Sequence, residues 1–248
     1  MTEPLRRLDF GRVSVFVGAK SGEYPDGNQV VVRGSDTRAV FDTPLVANRI
    51  GREFDDAELV ILGHAHEDHM AGLHRVAKAA VQVHESDLDA VRSWEGLQRH
   101  YGLSASAAGA TLHKIQREFF YAPRPDATGY RDGTLWELGG SRVRAIHMPS
   151  HTSSLAAFRR TLARVADVPA AVWVTAHHRG VYTERLLGML GGGQQTLDEL
   201  VAKRLIYPPE YDEIWIDAAE RRTIAQHLDE LLAAGRVTTD GQGRFARA

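Results

Sequence analysis

The polarity pattern of the chain begins as strands. Val13-Ser14-Val15-Phe16-Val17 and Gln29-Val30-Val31-Val32 have strand composition, and residues 18–27 between them form a loop containing glycine and proline. Residues 38–42 and 59–62 are apolar runs that predict buried strands. Residues 70–80 read as a helix and residues 81–84 alternate as a strand. Residues 86–93 read as a short helix capped by Ser86, with Asp87 and Asp89 in its first turn. A further helix is expected over 104–120, and Gly139-Gly140 marks a turn before the alternating run 142–147. Strands and helices in turn predict a layered α/β architecture.

Farther along, Leu155, Phe158, Leu162 and Val165 recur on one helical face, with Ser153 or Ser154 as N-cap, and residues 170–174 read as a buried strand. Gly191-Gly192-Gly193 has no following lysine and reads as a flexible connection. From about Thr196 the character changes. Thr196-Leu197-Asp198-Glu199 has the capping-box pattern, and Pro208-Pro209 ends the run that follows. Asp217 opens another helix, with Ile224, Leu228 and Leu231 on one face and Gly235 just past its end. Residues 236–239 and 244–246, joined by Asp240-Gly241-Gln242-Gly243, predict a hairpin. The pattern divides the chain into a domain of residues 1–195 and an appendage of residues 196–248.

Composition narrows the function classes. The 248 residues, 43% hydrophobic, suit one globular domain with a small appendage. A net charge of −2 supplies no general attraction for nucleic acid, so a nucleic-acid partner is not expected. The chain has no cysteine, which excludes disulfides, thiolate ligands and a cysteine nucleophile. No apolar run approaches the ~20 residues of a membrane helix, and the N-terminal residues lack a signal-peptide core, so a cytoplasmic location is expected.

The chemistry concentrates in His64-Ala65-His66-Glu67-Asp68-His69, directly after the apolar run Leu59-Val60-Ile61-Leu62. Neutral imidazoles bind transition metals through nitrogen, and a carboxylate binds through oxygen. In extended chain alternate side chains share one side, so His64 and His66 are placed to grip one ion; a following turn swings Asp68 and His69 toward a second position.

This is the H-x-H-x-D-H motif, and the chain resembles the metallo-β-lactamase-fold hydrolases, of the hydroxyacylglutathione-hydrolase-like kind. Asp42 resembles the acidic residue that ends an early strand and supports the metal site from behind the ligands. Met148-Pro149-Ser150-His151-Thr152 resembles the segment that supplies a third histidine, and Val172-Trp173-Val174-Thr175-Ala176-His177-His178 the last strand and its terminal histidine. The resemblance implies a four-layer αβ/βα sandwich with the metals at one edge and a small helical, winged-helix-like C-terminal appendage. It implies zinc, one or two ions, with iron or manganese also suited to such donors. His64, His66 and His151 would hold the first ion, and Asp68, His69 and His177 the second, with Asp68 also orienting the attacking water. His178 competes with His177 for its role. A bound metal lowers the pKa of water from 15.7 to about 7 and makes hydroxide at neutral pH.

The remaining histidines carry weaker signals. His147 is expected in a structural, hydrogen-bonded role, His74 on a helix surface, and His84, His100, His113 and His227 have no ligand-like spacing. The chain also departs from the family. His151 and His177 are 26 residues apart, and the acidic residue between them, Asp167, precedes a Pro-containing turn instead of ending a strand. The carboxylate that usually bridges two metals therefore has no counterpart, as though a segment after Ser153 or Ser154 were missing. The leading expectation is a metal-dependent hydrolase of a small ester, thioester or lactone, with a small-molecule substrate as its partner. The alternatives are a phosphodiesterase or nuclease of the same fold, and a degraded metal-binding protein that lost turnover with the bridging aspartate. Oligomeric state is open, a homodimer among the options. Arg221, Arg222, Arg236, Arg244 and Arg247 are candidate phosphate contacts on the appendage, but neighbouring acidic residues dilute their field.

Overall fold

The computed structural model describes residues 5–148, 183–207, 216–240 and 242–248. Two compact units account for them, one built mainly from the first 147 residues and the other mainly from the C-terminal part.

The first unit is organised by a seven-stranded mixed sheet in simple sequence order. Strands β1 (Arg7–Phe10), β2 (Val13–Phe16), β3 (Gln29–Arg33) and β4 (Arg38–Phe41) run antiparallel. Strands β5 (Leu59–Leu62), β6 (Ala80–His84) and β7 (Thr128–Tyr130) continue in parallel with β4. All four residues of β5 are buried, as its unbroken apolar run requires for a central parallel strand. Because β4 to β7 are parallel, their C-terminal ends share one edge of the sheet, the edge where open α/β sheets place their chemistry. A separate two-stranded ladder pairs β8 (Leu135–Glu137) with β9 (Arg142–Arg144). The residues read as a helix over 154–165 and a strand over 170–174 lie outside the described residues. Helices α1 (Arg52–Asp55), α2 (Leu88–Arg92), α3 (Trp94–Tyr101) and α4 (Ala105–Phe119) complete this part of the chain.

The structure differs from the sequence pattern over residues 70–80. No α-helix forms there; the segment makes a single 3-10 turn at Leu73–Arg75. The reason is a competing set of hydrogen bonds. Thr43 N–H donates to the His69 carbonyl at 2.8 Å, and Gly72 N–H donates to the Thr43 carbonyl at 2.7 Å. These bonds tie the backbone after the histidine motif to the end of β4. A Cβ at Gly72 would lie 3.0 Å from Ala47 Cβ and 3.2 Å from Phe54 Cζ, so any side chain there would have to push its neighbours aside by a few tenths of an ångström. β1, β7 and β8 were not marked by the polarity pattern, and they are short strands with little burial.

The described C-terminal residues form their own core from Leu186, Leu187, Leu190, Leu200, Val201, Leu205, Ile224, Leu228, Leu231 and Val237. Thr196 caps the helix Leu197–Ala202 with a complete capping box. The helix Ile216–Ala233 buries the expected Ile224, Leu228 and Leu231. Its end closes as a Schellman motif: Gly235, at φ 65°, donates to Leu232, and Arg236 donates to Leu231. The hairpin β11 (Val237–Thr239) and β12 (Arg244–Arg247) follows, and β10 (Gln195–Thr196) adds to β12. Gly191 and Gly192 lie in a 3-10 turn instead of a loose connection. Glu220 is fully buried and accepts from the backbone N–H groups of Leu205, Ile206 and Tyr207, each at 2.8 Å. Of the candidate phosphate-contacting arginines, Arg221 is paired with Asp198. Among the described residues, no helix is long and apolar enough to cross a membrane.

Candidate metal centre

The site grows from the C-terminal ends of β4 and β5. β4 ends at Phe41, and Asp42 leaves the sheet with φ 52°, a left-handed conformation that aspartate tolerates better than most residues. Its backbone N–H still donates to Ile61 at 3.0 Å, so the residue stays on the ladder while its carboxylate turns toward the next connection. There Oδ1 accepts from Gly63 N–H at 2.6 Å, and Oδ2 lies 3.0 Å from His69 Nδ1. A Cβ at Gly63 would lie 3.2 Å from Asp42 Oδ1, and the missing side chain leaves room for the carboxylate.

β5 ends at Leu62, and the chain turns through the histidine motif into a 3-10 turn at Glu67–His69. Three imidazoles gather in this span. The His64 ring centre lies 4.5 Å from that of His66 and 3.9 Å from that of His69. Glu67, Asp68 and His69 are buried, and Asp68 Oδ2 lies 3.8 Å from His69 Nε2. Burial disfavours a charged His69, but the carboxylates of Asp42, Asp68 and Glu67 outweigh it and push its pKa up to about 9. A buried imidazole ringed by carboxylates that hold its proton this firmly stands in a field that also favours a divalent cation.

Neighbouring elements brace the motif. Ala65 N–H donates to Asp87 Oδ2 at 3.3 Å, and Asp87 Oδ1 accepts from the Ser86 hydroxyl at 2.9 Å. The Tyr130 hydroxyl, from the end of β7, donates to the Leu62 carbonyl at 2.9 Å; burial, with Asp42 and Asp87 adding, pushes its pKa up. Tyr24, in the loop before β3, places its hydroxyl 3.1 Å from Glu67 Oε1. His100, from α3, sets its ring 5.7 Å from that of His66, nearly edge-on. His84 and His147 stack with ring centres 3.8 Å apart, and His84 Nδ1 lies 2.8 Å from Ser86 Oγ. Burial and then the neighbouring His147 lower the His84 pKa.

The structure thus brings together Asp42, His64, His66, Asp68 and His69 from the sequence reading. His151 and His177, with His178 and Asp167, lie outside the described residues. Among the described residues, no group of three or more His, Cys, Asp or Glu side chains is arranged to hold one metal ion. Each expected ligand set has two described members and one outside: His64 and His66 with His151, and Asp68 and His69 with His177. Tyr24, Asp87, His100 and Tyr130 carried no local signal, because each reaches the motif from another element.

No family model and no curated protein matches the chain. Solved structures do. A metallo-β-lactamase family protein of Thermus thermophilus superposes with a TM-score of 0.66 at 20% identity, over 96% of this chain and 99% of that one. A β-lactamase domain protein of Burkholderia ambifaria gives a TM-score of 0.65 at 14% identity, over 98% and 94%. The chain has the metallo-β-lactamase fold. A metallo-β-lactamase of Cronobacter sakazakii, with a TM-score of 0.53 at 17% identity over 94% and 96%, is named for a His-Ala-Arg-Leu-Asp-Gln motif.

Proposed function

We propose that the chain is a metal-dependent hydrolase of a small ester, thioester or lactone. The observation that carries this is the gathering of three imidazoles, with Asp68 beside them and Asp42 behind His69, on one sheet edge. The donor set of neutral nitrogens and carboxylate oxygens suits zinc, and suits iron or manganese as well. His64 and His66 with His151 would hold one ion, and Asp68 and His69 with His177 a second. A second ion would bind more weakly, because the sequence between His151 and His177 offers no strand-end carboxylate to bridge two divalent ions and offset their repulsion. When bound, the metal supplies Lewis acidity and acidifies a water it holds.

The protein's own part is orientation. Asp42 fixes the ring of His69, Asp87 fixes the backbone between His64 and His66, and Asp68 orients the attacking water. Burial of Glu67, Asp68 and His69 keeps these charges out of bulk solvent, so they act more strongly on one another than they would in water. The partner this reading favours is a small molecule, since a net charge of −2 gives no general attraction for phosphate backbones.

The test is turnover by zinc-loaded protein on a panel of a thioester, a lactone, a β-lactam and a phosphodiester, beside His66→Ala. Thioester or lactone hydrolysis abolished by His66→Ala supports the assignment. Turnover of the phosphodiester alone selects the nuclease-like alternative, and metal binding without turnover on any substrate selects the degraded one.

A further inference from the structure

Gln29 is the first residue of β3 and is fully buried. A carboxamide in that position is expensive unless its groups are bonded. Its Nε2 reaches three carbonyl oxygens, Val30 at 2.9 Å, Phe41 at 3.1 Å and Asp42 at 3.2 Å, while its Oε1 is buried with no hydrogen-bond partner among the described residues, so the donor end is the part of the carboxamide that the fold uses. Two of these belong to the place where β4 breaks and Asp42 takes its left-handed conformation. The N–H of Asp42 is held by Ile61, its carbonyl by Gln29, and its carboxylate by Gly63 and His69. An apolar side chain at residue 29 would leave the Phe41 and Asp42 carbonyls without this donor at the turn that aims the carboxylate.

We propose that Gln29 is a positioning residue of the metal centre: its carboxamide holds the Phe41–Asp42 turn, and through it the Asp42 carboxylate that orients His69. The proposal rests on the reading of His69 as a metal ligand. Gln29 touches neither metal nor substrate, and its effect passes through Asp42. A residue that only filled the core would affect stability and leave the imidazole alone.

The experiment is competitive zinc titration of the metal-free full-length chain at fixed pH. Gln29→Met keeps the volume and loses the donor; it should bind zinc about tenfold more weakly, the lower end of what outer partners of metal ligands contribute. Gln29→Asn keeps a shorter donor and should fall between Gln29→Met and wild type, which keeps the test alive if Gln29→Met does not fold. In an Asp42→Asn background, Gln29→Met should change the affinity by less than about twofold, because the route through Asp42 is already cut. Val31→Ala, in the same strand and equally buried, should lower stability and leave the affinity within about twofold of wild type. Equal zinc affinity in wild type and both Gln29 variants overturns the proposal and leaves the metal reading standing. So does full additivity with Asp42→Asn, or a matching loss in Val31→Ala. Failure of wild type to bind zinc overturns the metal reading and this proposal together.

Discussion

Asp42 Oδ2 lies 3.0 Å from Nδ1 of His69; Asp42 directly follows β4, and His69 closes the 3-10 turn in the connection that leaves the adjacent parallel strand β5. The contact sets the ring's orientation and leaves Nε2, on the Asp68 side, as the nitrogen that would meet a metal.

Replacing the charge at Asp42 tests this relationship directly. Asp42→Asn keeps the shape but removes the strongest charge acting on His69. In the metal-free protein the His69 pKa should fall from about 9 toward the ordinary histidine range, read by NMR of the ring. Zinc affinity should fall by about 10- to 100-fold. An unchanged affinity would remove Asp42 from the machinery of the site.

A second prediction concerns protons. At pH 7 the metal-free His69 is protonated, because its pKa is pushed up to about 9. Metal ligation requires the neutral ring, so zinc uptake should expel that proton. Calorimetry in buffers of different ionisation enthalpy should show about one more proton released at pH 7 than above pH 9, the His69 proton, on top of any released by water that the metal holds. The stability of the metal-free protein has the matching sign. A raised pKa contributes stability that is complete below about 6.5 and is lost as pH rises through 9. Zinc uptake with no proton release at pH 7 would contradict the ligand role of His69.

The stacked pair His84–His147 has the opposite sign. Burial and the neighbouring His147 lower the His84 pKa, so folding favours its neutral form. The contribution is complete above the unfolded value of about 6.5 and is lost as pH falls through the folded value. Urea midpoints between pH 7.5 and 5 should therefore decline less in His84→Phe than in wild type. A parallel decline in both would assign the acid sensitivity to other groups.

The C-terminal unit offers a test independent of metal. Glu220→Ala deprives three backbone N–H groups of their acceptor. At roughly 1 kcal/mol or more for each buried donor left unpaired, the loss should reach about 3 kcal/mol in denaturant unfolding. Glu220→Gln retains one acceptor oxygen and should lose less. A change of Glu220→Ala within about 0.5 kcal/mol would mean the N–H groups find other partners.

Much of this protein was determined by local sequence. The run Leu59-Val60-Ile61-Leu62 specified a buried central strand, and His64, His66, Asp68 and His69 were recognisable as one motif because their chemistry lies within six residues. The capping box at Thr196, the Schellman end at Gly235 and the hairpin after it followed from the same kind of short-range hydrogen bonding. Tertiary structure decided what depends on distant partners. Residues 70–80 carry a helical pattern, yet the Thr43 and Gly72 backbones bond across elements and win, because those bonds also bury the turn behind the metal motif. Gln29, Tyr24, Asp87 and His100 are ordinary in sequence and reach the site only through the ordering of β3, β6 and α3 around it. Side-chain periodicity reports burial within one element; it carries no information about which carbonyl a buried carboxamide will meet across the sheet.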